Sequence, residues 1–273
     1  MNIQALLANR PSGGVKFDIS SKALETWQPG IRAATESANQ IDILDVIGAD
    51  YWGEGVTLKN VNRALRESAG ADVTVNMNSP GGDLFEGLAI YNALREYPGR
   101  VTVKVLGMSA SAASIIAMAG DEVQIAKSAF FMIHNGWLMA VGNRHDLRDV
   151  ADWMEPFDAA MAEIYADHTG LKSSEIETMM DKETWIGGSD SVAKGFADSL
   201  LEADAKIEAS TDKVQIAAHK MDVLLAKAGV PRSERRKMIS EIKSSTHDAA
   251  GTGTHDAAVE VKLNPLPRVE FKF

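Results

Sequence analysis

Residues 72-DVTVNMNSPGGD-83 and 101-VTVKVLGMSASAAS-114 decide how this chain folds. DVTVNMN alternates apolar and polar side chains as a strand does, and SPGGD closes it with a tight glycine turn. Leu84, Leu88, Tyr91 and Leu94 then recur at helical spacing until Pro98-Gly99 stops them. VTVKVLG is a further strand, and the small residues of SASAASIIAMAG predict a helix behind it. Strand and helix in alternation indicate an α/β domain with a parallel sheet.

The pattern extends outward in both directions. Upstream, IDILDVIG (41–48) reads as a strand, and Val56, Leu58, Val61 and Leu65 as a helix behind a Thr57 cap. Downstream, VQIA (123–126) and AFFMIH (129–134) are short apolar strands. Leu147, Val150, Met154, Phe157, Met161 and Ile164 step by three and four, which predicts a helix about 37 Å long over 144–169. Pro156 lies inside it and predicts a kink or a division. Residues 1–40 read as an N-terminal arm with an irregular course and one short strand at 15–19. Residues 204–245 read as a helical extension, with helices over 211–228 and 232–245 parted by Gly229-Val230-Pro231, the second made basic by RSERRK. The repeated THDAA at 246–250 and 254–258 opens a flexible tail, 246–273.

Bulk composition narrows the function. With 28 Lys and Arg against 38 Asp and Glu, the net charge of −10 disfavours a general electrostatic hold on nucleic acid or anionic lipid. The absence of cysteine excludes disulfides, thiolate zinc sites and a cysteine nucleophile. No signal-like or membrane-spanning apolar run is present, so a cytoplasmic protein is expected. Without a GxxxxGK[ST] loop the chain is not expected to hydrolyse ATP itself.

A nucleophilic serine needs a base, a pair of oxyanion donors and an orienting acid. Ser111 follows a strand where a helix begins, and Ala110, Ala112 and Ala113 leave room beside it for a substrate backbone. His134 ends an apolar strand and precedes Asn135-Gly136; Gly81-Gly82 ends another, where a bare N–H can meet a ligand. All are strand-end positions, where open α/β sheets place their sites. Taken singly, a Ser/Ala-rich helix is ordinary close packing, a strand-end histidine an ordinary structural group, and SPGG an ordinary turn. Their order and spacing distinguish them.

NSPGGD (78–83), GMSASAAS (107–114), FMIHNG (131–136) and HTGLKSSEIETMMDKETWIGGSDSVAKGFADSL (168–200) resemble, in this order, the signature blocks of the Clp protease proteolytic subunit family. The similarity covers about residues 41–201, and it implies a crotonase/Clp-like fold of repeated ββα units with a protruding long helix and, here, a helical C-terminal extension. Residues 41–203 would then be the serine peptidase domain. By resemblance the nucleophile falls on Ser111 and not on Ser109 or Ser114, the base on His134, and the oxyanion donors on the N–H groups of Gly82 and Ala112. A substrate strand would pair near Gly81 and along Asn135-Gly136. The family's third acid is an aspartate and aligns with Glu183. A glutamate is one methylene longer, so either it reaches His134 from a displaced backbone, or Asp181 takes the role, or the orienter is weak; the alignment favours Glu183.

The segment AAHKMDVLLAKAGVPRSERRKM (217–238) resembles the extension of Clp-like head maturation proteases of tailed phages. That likeness implies scaffold or capsid protein as substrate, a ring homo-oligomer, and no metal or cofactor; an ATPase partner is left open. Competing readings are a degradative Clp-type subunit fed by such an ATPase, a crotonase-like acyl-CoA enzyme, which also uses glycine N–H groups but needs no Ser–His pair, and a non-catalytic assembly protein.

Overall fold

The computed structural model describes residues 16–17, 19–33, 39–48, 55–202, 207–209, 213–227 and 230–248. The chain enters through β1 (Lys16–Phe17), α1 (Ser21–Thr26) and β2 (Ile31–Ala33). It then builds β3 (Gln40–Ile43), α2 (Leu58–Glu67), β4 (Val73–Ser79), α3 (Leu84–Arg95), β5 (Val101–Ala110) and α4 (Ala112–Ala117). β6 (Glu122–Ile125), β7 (Phe130–Ile133) and β8 (Leu138–Met139) lead to the long α5 (Arg144–Thr169), then α6 (Ser173–Asp181), β9 (Thr184–Gly187), α7 (Gly188–Ala193) and β10 (Ser199–Leu200). β11 (Ile207–Ala209), α8 (Lys213–Lys227) and α9 (Arg232–Asp248) follow.

The expected α/β architecture is present: β3, β4, β5 and β6 run parallel, with β10 parallel on β6. Val75, Met77, Val103 and Val105 are fully buried, as befits parallel strands covered on both faces. Thr57 caps α2 by accepting from Asn60 N–H, and Asp83 caps α3 by accepting from Glu86 N–H.

β5 is the strand that positions the site, because its two halves serve different neighbours. Thr102–Val105 pair with β6, whereas Met108–Ala110 pair in parallel with Phe130–Met132 of β7, which in turn holds β9 antiparallel. The strand therefore runs three residues beyond the expected 107, and the helix behind it is only Ala112–Ala117. Pairing with β7 overrides the helical preference of Met108, Ser109 and Ala110.

Three further expectations are revised. α5 runs unbroken through Pro156. Trp153 and Phe157, buried on either side of the proline, stack edge to face at 4.9 Å, and Phe157 meets Phe85 at 5.3 Å, so packing pins the helix across the missing N–H. Leu147, expected on the buried face, is exposed, because the first turns of this helix stand clear of the core.

The entry segment, expected to be irregular, carries α1 over 21–26: Ala23, Leu24 and Trp27 are buried against Met108, Ala110 and Met132, behind the ends of β5 and β7. The helical extension docks on it. β11 pairs with β2, Lys220 Nζ donates to the Glu25 carbonyl at 2.6 Å, and His219 lies edge-on to Trp27. Buried Arg235 joins the two C-terminal helices by donating to Asp222 Oδ1 at 2.9 Å. The flexible tail expected at 246–273 lies outside the described residues except for 246–248, which instead close α9; of the short strand expected at 15–19, β1 forms over 16–17, and residues 15 and 18 lie outside the described residues.

Candidate active site

Backbone register brings the candidate nucleophile and base together. Ala110 of β5 pairs with Met132 of β7, so Ser111 and His134 leave the ends of two adjacent parallel strands. Ser111 N–H donates to the Met132 carbonyl at 2.9 Å. His134 Nε2 and Ser111 Oγ are 2.7 Å apart, within hydrogen-bonding reach.

Ser111 has φ 55° and ψ −128°, a left-handed conformation that costs a side-chain-bearing residue free energy. Such a sharp strand-to-helix turn pushes the hydroxyl out of the sheet, a geometry that nucleophile elbows share. Gly81 makes the turn sterically feasible: at φ 90°, a Cβ there would lie 2.6 Å from both Ser111 Cβ and the Ala110 carbonyl. Gly82 is equally restricted, since its Cβ would meet the Ile47 carbonyl at 2.1 Å. Ile47 bonds to Gly81 C=O and Asp83 N–H, which leaves the Gly82 N–H on the side away from Ile47. The Ala112 N–H, at the first position of a helix, has no intrahelical acceptor. Both are free to meet a developing oxyanion.

The neighbouring serines are otherwise engaged or isolated. Ser114 Oγ contacts the Ser111 and Met132 carbonyls at 2.6 and 3.1 Å and the Tyr165 hydroxyl at 2.7 Å. Ser109 Oγ is buried and makes no hydrogen bond. Of the three, Ser111 is the one hydrogen-bonded to an imidazole.

His134 is 8% exposed, and burial pushes its imidazole below the ordinary value while the charge of Glu183 opposes that shift. At neutral pH the ring is therefore neutral and can accept the Ser111 proton. A small pocket, about 10 Å³, lies in front of the pair and is lined by Gly82, Ser111, His134, Asn135 and Gly136, with Trp137 and Met161 at its sides. Gly81 does not line it, being packed behind Ser111. The Gly136 N–H donates to Asp158 Oδ1 at 2.6 Å, and burial raises the pKa of that carboxyl against the opposing hydrogen bond. A far larger cavity, about 1310 Å³, between the C-terminal helices and the β3 edge contains neither Ser111 nor His134.

Neither candidate acid is joined to His134. Glu183 Oε1 pairs with Lys22 Nζ at 3.1 Å and accepts from Trp185 Nε1 at 3.4 Å; no hydrogen bond links Glu183 to His134. Asp181 Oδ1 accepts from Asn135 Nδ2 at 2.8 Å. The sequence named Ser114 only as a rejected nucleophile and gave no role to Lys22 or Tyr165. Tyr165 could have been found, because it continues the Phe157, Met161 spacing of four on the long helix. Lys22 carries no local signal, since it reaches the site from 161 residues away in sequence.

No helix among the described residues is long and apolar enough to cross a membrane. The sequence profile of the Clp protease family matches residues 62–204, just over half of the chain. The ATP-dependent Clp protease proteolytic subunit of Deinococcus radiodurans is 27% identical over 133 residues, which cover 48% of this chain and 65% of that protein. Its counterpart from Bacteroides fragilis is 29% identical over 136 residues, with 48% and 65% covered. The chain thus spans a little under two thirds of the length of these relatives.

Proposed function

Because the chain belongs to the Clp protease family, we propose that it is a serine endopeptidase with Ser111 as nucleophile and His134 as general base. The observation that carries this reading is the 2.7 Å contact between His134 Nε2 and a Ser111 hydroxyl held at a left-handed turn. In the first step neutral His134 takes the Ser111 proton as Oγ bonds to the peptide carbonyl carbon, and the carbonyl π electrons move onto oxygen. The N–H groups of Gly82 and Ala112 receive that oxyanion. Collapse expels the amine, which takes the proton back from His134, and water repeats the sequence to free the acid. An extended substrate strand passes Gly82 and the Asn135-Gly136 segment. Of the two carboxylates, Glu183 is our choice for the orienting acid, since its charge acts on the His134 ring and favours the protonated form.

Residues 41–203 form the peptidase domain in this reading. The substrate is protein, and the resemblance of 217–238 to phage head maturation proteases supports scaffold or capsid protein, cleaved by a ring of identical subunits in the host cytoplasm or assembling prohead. Fluorophosphonate labelling with intact-mass detection tests the chemistry: wild type gains one adduct and Ser111→Ala gains none. An adduct on Ser111→Ala removes the assignment.

A further inference from the structure

The register of β7 and β9 places Glu183 where an orienting acid belongs, yet a lysine from outside the expected site occupies its carboxylate. Ile133 pairs with Thr184 in the antiparallel β7–β9 ladder, so one further step sets His134 opposite Glu183. Both residues flank the last pair of that ladder, and the Glu183 charge acts on the His134 ring. Glu183 itself turns at φ 48°, fixed by its N–H donating to the Met180 carbonyl, so its side chain leaves from a defined point. Its carboxylate is nonetheless engaged by Lys22 of α1, and the Lys22 ammonium lies 5.6 Å from the centre of the Trp185 ring that also donates to Glu183.

We infer that Lys22 is a positioning residue that draws Glu183 away from His134, so that the resting site lacks its orienting acid until this ion pair opens. The inference rests on the serine peptidase reading for its consequence, not for its geometry. α1 holds Lys22 in place, because the adjoining Ala23 and Leu24 are buried against the strands that carry Ser111 and His134. The contact is reversible, because the Lys22 side chain is 61% exposed and that of Glu183 32%, and ion pairs in water are weak and screened. Other charged groups are committed elsewhere: Asp181 to Asn135, and Asp158 of the long helix to Gly136 N–H. Glu183 is the charged group whose field acts on the His134 imidazole.

Titration of His134 by NMR in a Ser111→Ala background tests this without any need for catalysis. Lys22→Met frees Glu183 to swing onto His134 and raises the His134 pKa, whereas Lys22→Arg keeps the pair and the wild-type value. Loss of a nearby positive charge would raise that pKa on its own, so the deciding variant is Lys22→Met combined with Glu183→Gln. A rise that disappears in the double variant supports the inference; no rise, or a rise that persists, overturns it. In the active chain, Lys22→Met should speed fluorophosphonate labelling by about two- to fivefold, the population shift a weak surface pair can hold back. Failure of wild type to label would remove the peptidase reading while the titration still decides the role of Lys22.

Discussion

The two halves of the site are built by different means. Ser111 and His134 leave neighbouring parallel strands whose pairing fixes them 2.7 Å apart, with Gly81 shaped to the turn between them. Glu183 stands on a turn ahead of an antiparallel strand, and its side chain is directed by an exposed lysine from the other end of the chain. Main-chain hydrogen bonds and buried packing hold the first half, whereas a solvated ion pair holds the second. The proposed nucleophile and base should therefore act as a rigid unit, and the proposed acid as an adjustable one.

Breaking the rigid half has the largest effect. His134→Ala should lower peptide hydrolysis and fluorophosphonate labelling by at least about 10³-fold, as removal of the base does in serine hydrolases. A variant that labels at the wild-type rate would show that the imidazole contact is structural only. Next in size is Gly81→Ala. Its methyl would collide with Ser111 Cβ at 2.6 Å in a left-handed backbone, so the turn must open. We expect about 2 kcal/mol of lost stability in denaturant unfolding and about 10²-fold slower labelling. Unchanged labelling would mean that the elbow tolerates displacement.

The sequence exposed the rigid half because strand ends leave local marks: an alternating run, a glycine pair, a histidine after the last apolar residue. These are short-range patterns that marked Ser111, His134 and Gly82 as strand-end positions; family resemblance joined them, and one pocket gathers them. It did not expose how far β5 extends, since Met108, Ser109 and Ala110 become strand only by pairing with β7. Nor could it show that the two chain ends meet, because β2 with β11 and α1 with α8 are contacts across more than 170 residues. Glu183 was reached through family resemblance, and its engagement with Lys22 lay beyond any periodicity.

The adjustable half is sharpened by pH. Burial lowers the His134 pKa below 6.5, so kcat/KM should hold at neutral pH and fall as pH drops through that lowered value and the ring gains a proton. Glu183 pushes the other way by favouring the charged ring. Glu183→Gln should therefore move the acid limb further down, and Asp181→Asn should leave it in place. The opposite ranking would transfer the orienting role to Asp181.

The smallest effect belongs to the tie between the elbow and the long helix. Ser114 Oγ has one proton to donate, toward the Ser111 or Met132 carbonyl, so the Tyr165 hydroxyl must donate to it. Burial raises the Tyr165 pKa and keeps the phenol protonated for that task. Tyr165→Phe removes the donor and leaves no orphaned phenol, so it should cost about 1 kcal/mol of stability and change labelling of Ser111 less than about twofold. Ser114→Ala strands the buried hydroxyl of Tyr165 and should cost about 1–3 kcal/mol. If Tyr165→Phe slowed labelling tenfold while Ser114→Ala did not, the elbow would take its rigidity from the long helix, and strand pairing alone would no longer account for the first half of the site.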